Sequence, residues 1–150
     1  MAQSVHIERV LDAPRELVWK AFTDPDEFAQ WFGPVGYTVP RDTLEIDLRV
    51  GGRTRFEMVP DNEDYPPGGW SSGTYDEVVE NELLVTHEDL EGDMAELFGT
   101  DRIHMRIEFH DENGKTRLVI DQGPYRDDFI GNVSAGWESS FTKLDTLLAR

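Results

Sequence analysis

No part of the chain constrains its fold more than the stretch from Asp128 to Arg150, where Phe129, Val133, Trp137, Phe141, Leu144, Leu147 and Leu148 recur at three- and four-residue spacing. That is the period of an amphipathic helix. Nearly everything between Val39 and Gln122 reads instead as short strands and turns. One long helix must therefore cover a sheet that has few other partners, and a helix gripping a curved sheet encloses a pocket. Gly131 and Gly136 each cost about 1 kcal/mol inside a helix, which leaves its start open.

The preceding segments set the order. Gln3 to Leu11 alternates Val5, Ile7 and Leu11 with His6 and Glu8, as an opening strand does, with Arg9 breaking the pattern. Pro14 is placed as the first residue of a helix with Leu17, Val18, Ala21 and Phe22 as its stripe. Asp24 as N-cap, Pro25 in the first turn and Glu27 as capping-box partner start a second helix, which carries Phe28, Trp31 and Phe32 and ends at Gly33-Pro34.

Tyr37 to Val50 is predicted as one strand, with Leu44, Ile46, Leu48 and Val50 on one side. Gly51-Gly52 turns it into Arg53 to Val59, whose inward residues are Thr54, Phe56 and Met58. Pro60 to Gly69 is polar and turn-rich, an exposed loop. Trp70 to Glu80 and Leu83 to Asp89 form a second hairpin. In the connector from Leu90 to Thr100, Met94, Leu97 and Phe98 make one helical turn. Arg102 to His110 and Lys115 to Asp121 pair across Asn113-Gly114.

Segregated helices beside successive hairpins define one α+β domain over residues 1–150, its meander coiling around the terminal helix.

Thirty-one acidic residues against 14 basic ones give a net charge of -17. A duplex or an anionic bilayer is repelled by such a surface, so neither nucleic acid nor membrane is an expected partner. Lysine occurs only at Lys20, Lys115 and Lys143. An acid-rich, lysine-poor surface suits a salt-rich cytoplasm, and its like charge favours a monomer at low salt. The absence of cysteine excludes disulfides and thiolate chemistry. No run approaches the ~20 apolar residues of a membrane span, and Met1 to Arg9 lacks the apolar core of a signal peptide, so a cytoplasmic protein is expected.

Several short patterns, taken in register, resemble one family. They are Ala13-Pro14-Arg15-Glu16-Leu17-Val18-Trp19, Asp24-Pro25 with Trp31-Phe32-Gly33-Pro34, and Asp47-Leu48-Arg49-Val50-Gly51-Gly52 before Phe56. Gly73-Thr74-Tyr75 with Glu77-Val78-Val79, Thr116-Arg117-Leu118, and Gly136-Trp137 with Leu144 and Leu147-Leu148 complete the set. Together they resemble the activator of Hsp90 ATPase homologue 1-like family of the START-like, or SRPBCC, superfamily. The resemblance covers essentially the whole chain. It implies the helix-grip, Bet v-like fold: a curved antiparallel sheet of about six to seven strands, two short N-terminal helices and one long C-terminal helix.

For function the resemblance implies binding of a small apolar or aromatic molecule, as in lipid carriers and antibiotic-sequestering proteins. The alternatives it carries are a polyketide cyclase or hydrolase using the same cavity, and a co-chaperone-like stress-response module whose partner is a chaperone ATPase. A shared fold does not transfer a reaction. The sequence departs from common members in the Asp61 to Gly69 loop and the Glu91 to Asp101 connector.

The expected pocket is lined by Trp31, Phe32, Phe56, Met58, Trp70, Tyr75, Phe98, Met105, Ile107, Phe109, Trp137 and Phe141, since aromatic and methionine walls suit a flat apolar ligand. Gly136 joins them, because a missing side chain in the gripping helix lets something approach its backbone. For acid/base chemistry the candidates are Tyr75, His87, His104, Glu77 and Arg106. Alternation puts His104 and Arg106 on the solvent side and His87 inward with Leu83 and Val85, which makes His87 and Tyr75 the catalytic candidates, although a lone inward histidine is more often a hydrogen-bonded core residue. No metal site is expected, because His6, His87, His104 and His110 never fall at helical ligand spacing and the Asp61 to Asp64 run lacks a calcium-loop pattern. No cofactor is expected either, since phosphate-binding and nucleophile-elbow motifs are absent.

Overall fold

Successive hairpins build the sheet, and helices close one face of it. The computed structural model describes residues 2–149, so Met1 and Arg150, the ends of the expected domain, lie outside the described residues. Chain order runs β1 (Ala2–Leu11), α1 (Arg15–Thr23), α2 (Pro25–Trp31), β2 (Tyr37–Thr38), β3 (Glu45–Ile46), β4 (Arg53–Pro60), β5 (Gly69–Val79) and β6 (Leu83–Asp89). It continues with α3 (Gly92–Phe98), β7 (Arg102–Glu112), β8 (Lys115–Arg126) and α4 (Ile130–Leu148). The strands form one curved antiparallel sheet in the order β1-β8-β7-β6-β5-β4-β2, with β3 also on β4. This is the helix-grip arrangement that the resemblance implies.

Local chemistry explains the helix boundaries. The Asp24 carboxylate accepts hydrogen bonds from the backbone N–H groups of Asp26 and Glu27, and Pro25 opens α2 where no N–H is needed. Glu27 also turns its side chain to Lys20, 3.2 Å away. Pro14 is extended and lies just outside α1 rather than inside it. The inward stripe of α1 is Val18, Trp19, Ala21 and Phe22, while Leu17 is exposed. A 3-10 turn at Asp127–Phe129 leads into α4, which starts at Ile130.

The core lies between the sheet and the helices. Leu11, Ile107, Leu118 and Ile120 meet Val18, Phe141 and Leu144 there, all fully buried. Arg9, which breaks the alternation of β1, faces α4: its guanidinium lies over the Phe141 ring at 5.2 Å and pairs with Glu138 and Asp145. Lys143 of α4 donates to the carbonyl of Tyr37, and burial pulls its ammonium pKa down.

The predicted strand from Tyr37 to Val50 is not continuous. Pro40, which has no N–H to give a ladder, precedes a 3-10 turn at Arg41–Thr43, and only two-residue strands form on either side. Leu44 is buried, but Leu48 and Val50 are exposed in a turn closed by hydrogen bonds from Arg49 N to Asp47 O and from Gly52 N to Arg49 O. A Cβ at Gly52 would sit 2.0 Å from the carbonyl oxygen of Asp47, so only glycine fits. The split strand raises the sheet to eight strands. At the other hairpin, Asn113 and Gly114 both have positive φ, as a two-residue turn between β7 and β8 requires.

Candidate functional site

Between the sheet, α2 and α4 lies a cavity of about 240 Å³. Its deep wall is apolar. Phe22 of α1 and Phe28 and Phe32 of α2 face Phe56 of β4, Tyr75 of β5, Leu84 of β6, and Ile103 and Ile107 of β7. Ring contacts fix the helix side: Phe28 and Phe32 stack at 4.4 Å, Phe32 meets Phe56 edge-on at 5.3 Å, and Phe32 meets Trp137 of α4 edge-on at 5.7 Å. Gly68, Gly69 and the half-exposed Trp70 form the mouth. A Cβ at Gly68 would lie 2.4 Å from the carbonyl oxygen of Met58, so the close approach of the loop to β4 requires glycine.

Of the residues expected to line a pocket, Phe32, Phe56, Met58, Trp70, Tyr75, Met105, Ile107 and Trp137 lie on the wall. Five do not. Trp31 is fully buried against Phe22 and Phe28 and donates its indole N–H to the carbonyl of Ala21 at 2.8 Å, so it is core. Phe109 packs edge-on against Trp19 and Phe22, and Phe141 lies under Arg9. Phe98 of α3 packs edge-on against Tyr125 and Phe129 and is not on the wall. Gly136 is not on the wall either, and a Cβ there would meet no protein atom within 4 Å.

The catalytic candidates separate in the same way. β6 presents Leu84, Thr86 and Glu88 to the cavity, so His87 lies on the outer face, where its Nδ1 is 2.9 Å from Asp76 and its ring is 6.4 Å from that of His104. The inward reading of His87 fails because Leu83, Leu84 and Val85 are all apolar and hide the phase of the alternation. His104, Arg106 and Glu77 are exposed, also away from the cavity. Tyr75 alone of the group is on the wall; burial pushes its phenol up to about 12, against a hydrogen bond from Thr54 that opposes the shift. It is therefore a proton donor at neutral pH and not a base.

Sequence reasoning missed the polar part of the wall. Thr54, Ser71, Thr86, Glu88 and Gln122 all reach it. Strand alternation carries the signal, since Thr54, Thr86 and Gln122 share a face with apolar neighbours; of these the sequence reading takes only Thr54 as inward, beside Phe56 and Met58, and none as part of the pocket. The Trp137 indole N–H donates to Gln122 Oε1 at 2.8 Å, and since indole offers only a donor, the amide orientation follows. Among the described residues no group of three His, Asp or Glu side chains gathers to hold a metal ion. No helix among them is long and apolar enough to cross a membrane.

A curved sheet gripped by a C-terminal helix over an apolar cavity defines a START-like domain. The profile of the family described as Activator of Hsp90 ATPase homolog 1-like protein matches residues 12–149, and the chain belongs to that family. Protein CV1439 from Chromobacterium violaceum is 29% identical, with 98% of this chain and 97% of that one covered at a TM-score of 0.81. The AHSA1 protein from Silicibacter pomeroyi is 23% identical, with 98% of each chain covered and a TM-score of 0.77. DynU16, a protein in the dynemicin biosynthetic locus, is 22% identical, with 97% of this chain and 47% of that one covered at a TM-score of 0.71. No curated protein matches the chain.

Proposed function

We propose that the chain binds a small aromatic ligand in the cavity between the sheet and the helices α2 and α4. The supporting observation is the wall itself: clustered Phe, Trp, Met and Ile side chains with a few placed polar groups, the composition of a ligand pocket rather than of a packed core. Size narrows the guest. A cavity of about 150 Å³ holds benzene, so 240 Å³ suits one or two fused rings. Binding without turnover is the better reading because Tyr75 would serve only as an acid in a cyclase-like reaction, and the one carboxylate on the wall, Glu88, is held by Ser71 and Ser72 rather than by Tyr75. The biosynthetic locus of DynU16 fits a small-molecule role of either kind.

Thermal shift and ligand-detected NMR with flavonoids, aromatic polyketides and fatty acids test the proposal. Aromatic compounds of one to two rings should raise the melting temperature and move the Trp137 indole resonance; saturation at a hundredfold over Kd stabilises by about 2.7 kcal/mol. Leu84→Trp, which fills the deep wall, should abolish both effects in a folded protein. If no compound moves the resonance, or if Leu84→Trp binds as well as the parent, the cavity is not a ligand site.

A further inference from the structure

The wall of the cavity is one-sided in charge. Among the described residues that line it, Glu88 is the only carboxylate, and no lysine, arginine or histidine is present. Glu88 stands on the inward face of β6 beyond Leu84 and Thr86, half-buried, beside the mouth. Two hydrogen bonds orient it: the Ser72 backbone N–H donates to Oε2 at 2.8 Å and the Ser71 hydroxyl donates to the same oxygen at 3.1 Å. Oε1 carries neither of them. None of the ion pairs among the described residues involves Glu88. Arg55 lies at the rim, 4.0 Å over the ring of Trp70, and makes no ion pair with Glu88.

An oriented carboxylate at the opening of an apolar pocket accepts a protonated nitrogen and repels another carboxylate. The net charge of -17 acts in the same direction at longer range. We infer that the ligand is an arylalkylamine, its ring held by the apolar wall and its ammonium group received by Glu88. The inference rests on the cavity being a ligand site, and it adds the charge of the guest.

Three probes with one ring system separate the two statements: naphthylmethylamine, naphthalenemethanol and naphthoate, titrated calorimetrically into the parent protein, Glu88→Gln and the outer-face control Glu77→Gln. In low salt the amine should bind about tenfold tighter than the alcohol, and naphthoate weakest. Glu88→Gln should bring the amine-to-alcohol ratio near one, whereas Glu77→Gln, which removes the same net charge from an exposed position, should keep it high. Gln retains an acceptor for Ser72, and a thermal melt checks that the variant folds. Should it not fold, the parent's ratio still decides, because in ~1 M salt, where the Debye length is about 3 Å, attraction to the net charge is screened out while direct contact with the half-buried Glu88 keeps part of the preference; a ratio that falls to one there overturns the inference. Equal binding of amine and alcohol overturns the inference and leaves the ligand site standing. A ratio that survives Glu88→Gln, or falls equally in Glu77→Gln, overturns it too. Binding of none of the three removes both.

Discussion

Gly136 interrupts α4 with nothing to show for it: neither the cavity nor a strand occupies the space its missing side chain leaves. Gly136→Ala should therefore raise unfolding free energy by about 0.5–1 kcal/mol, through the lower entropy of the unfolded chain and the better helix propensity of alanine. Urea denaturation checks this; a loss of stability would mean that something does press on that backbone. The same residue shows where sequence reading stops. Periodicity identifies α4 and the side on which Trp137, Phe141 and Leu144 are buried, yet both Trp137 and Phe141 are buried while only Trp137 meets the cavity. Burial pattern distinguishes inside from outside and does not distinguish core from cavity wall. His87 is misplaced by its sequence for a related reason: in Leu83-Leu84-Val85 the alternation has no readable phase, and the residues that do point inward next, Thr86 and Glu88, are polar because they face a cavity rather than a packed core.

Elements with chemical punctuation are legible in the sequence and those without it are not. Asp24-Pro25 marks the start of α2, and Asn113-Gly114 marks the β7–β8 hairpin, because each sequence satisfies a backbone requirement few others can. The run from Tyr37 to Val50 alternates well enough to read as a strand, but Pro40 and the turn locked by Gly52 take its backbone hydrogen bonds elsewhere. At this scale the cap of α2 is the informative target. Asp24→Ala leaves the N–H groups of Asp26 and Glu27 without their acceptor and should cost about 1 kcal/mol in a thermal or urea melt. Because α2 carries Phe28 and Phe32 on the wall, affinity for naphthalenemethanol should drop as well. Unchanged affinity in a destabilised variant would show that the wall does not depend on how α2 is anchored.

For the molecule as a whole, 31 acidic side chains against 14 basic ones set up a self-repulsion that dissolved salt can relieve. Raising sodium chloride from ~0.01 M to ~1 M shortens the Debye length from about 30 Å to about 3 Å. The melting temperature should climb across that range; a flat or falling curve would show that the surface ion pairs, such as Arg102 with Asp89 and Arg117 with Glu8, already offset the repulsion. The strand order has a consequence for how the chain reaches this state. β1 has a single neighbour in the sheet, β8, and Glu8 meets Arg117 across 109 positions of sequence. During synthesis β1 therefore emerges from the ribosome long before the segment it zips to, and must stay unpaired until β8 has been made. Its inward-facing Arg9, awkward for any edge-to-edge association, guards that waiting interval against the wrong neighbour as well as anchoring α4 at the end of it.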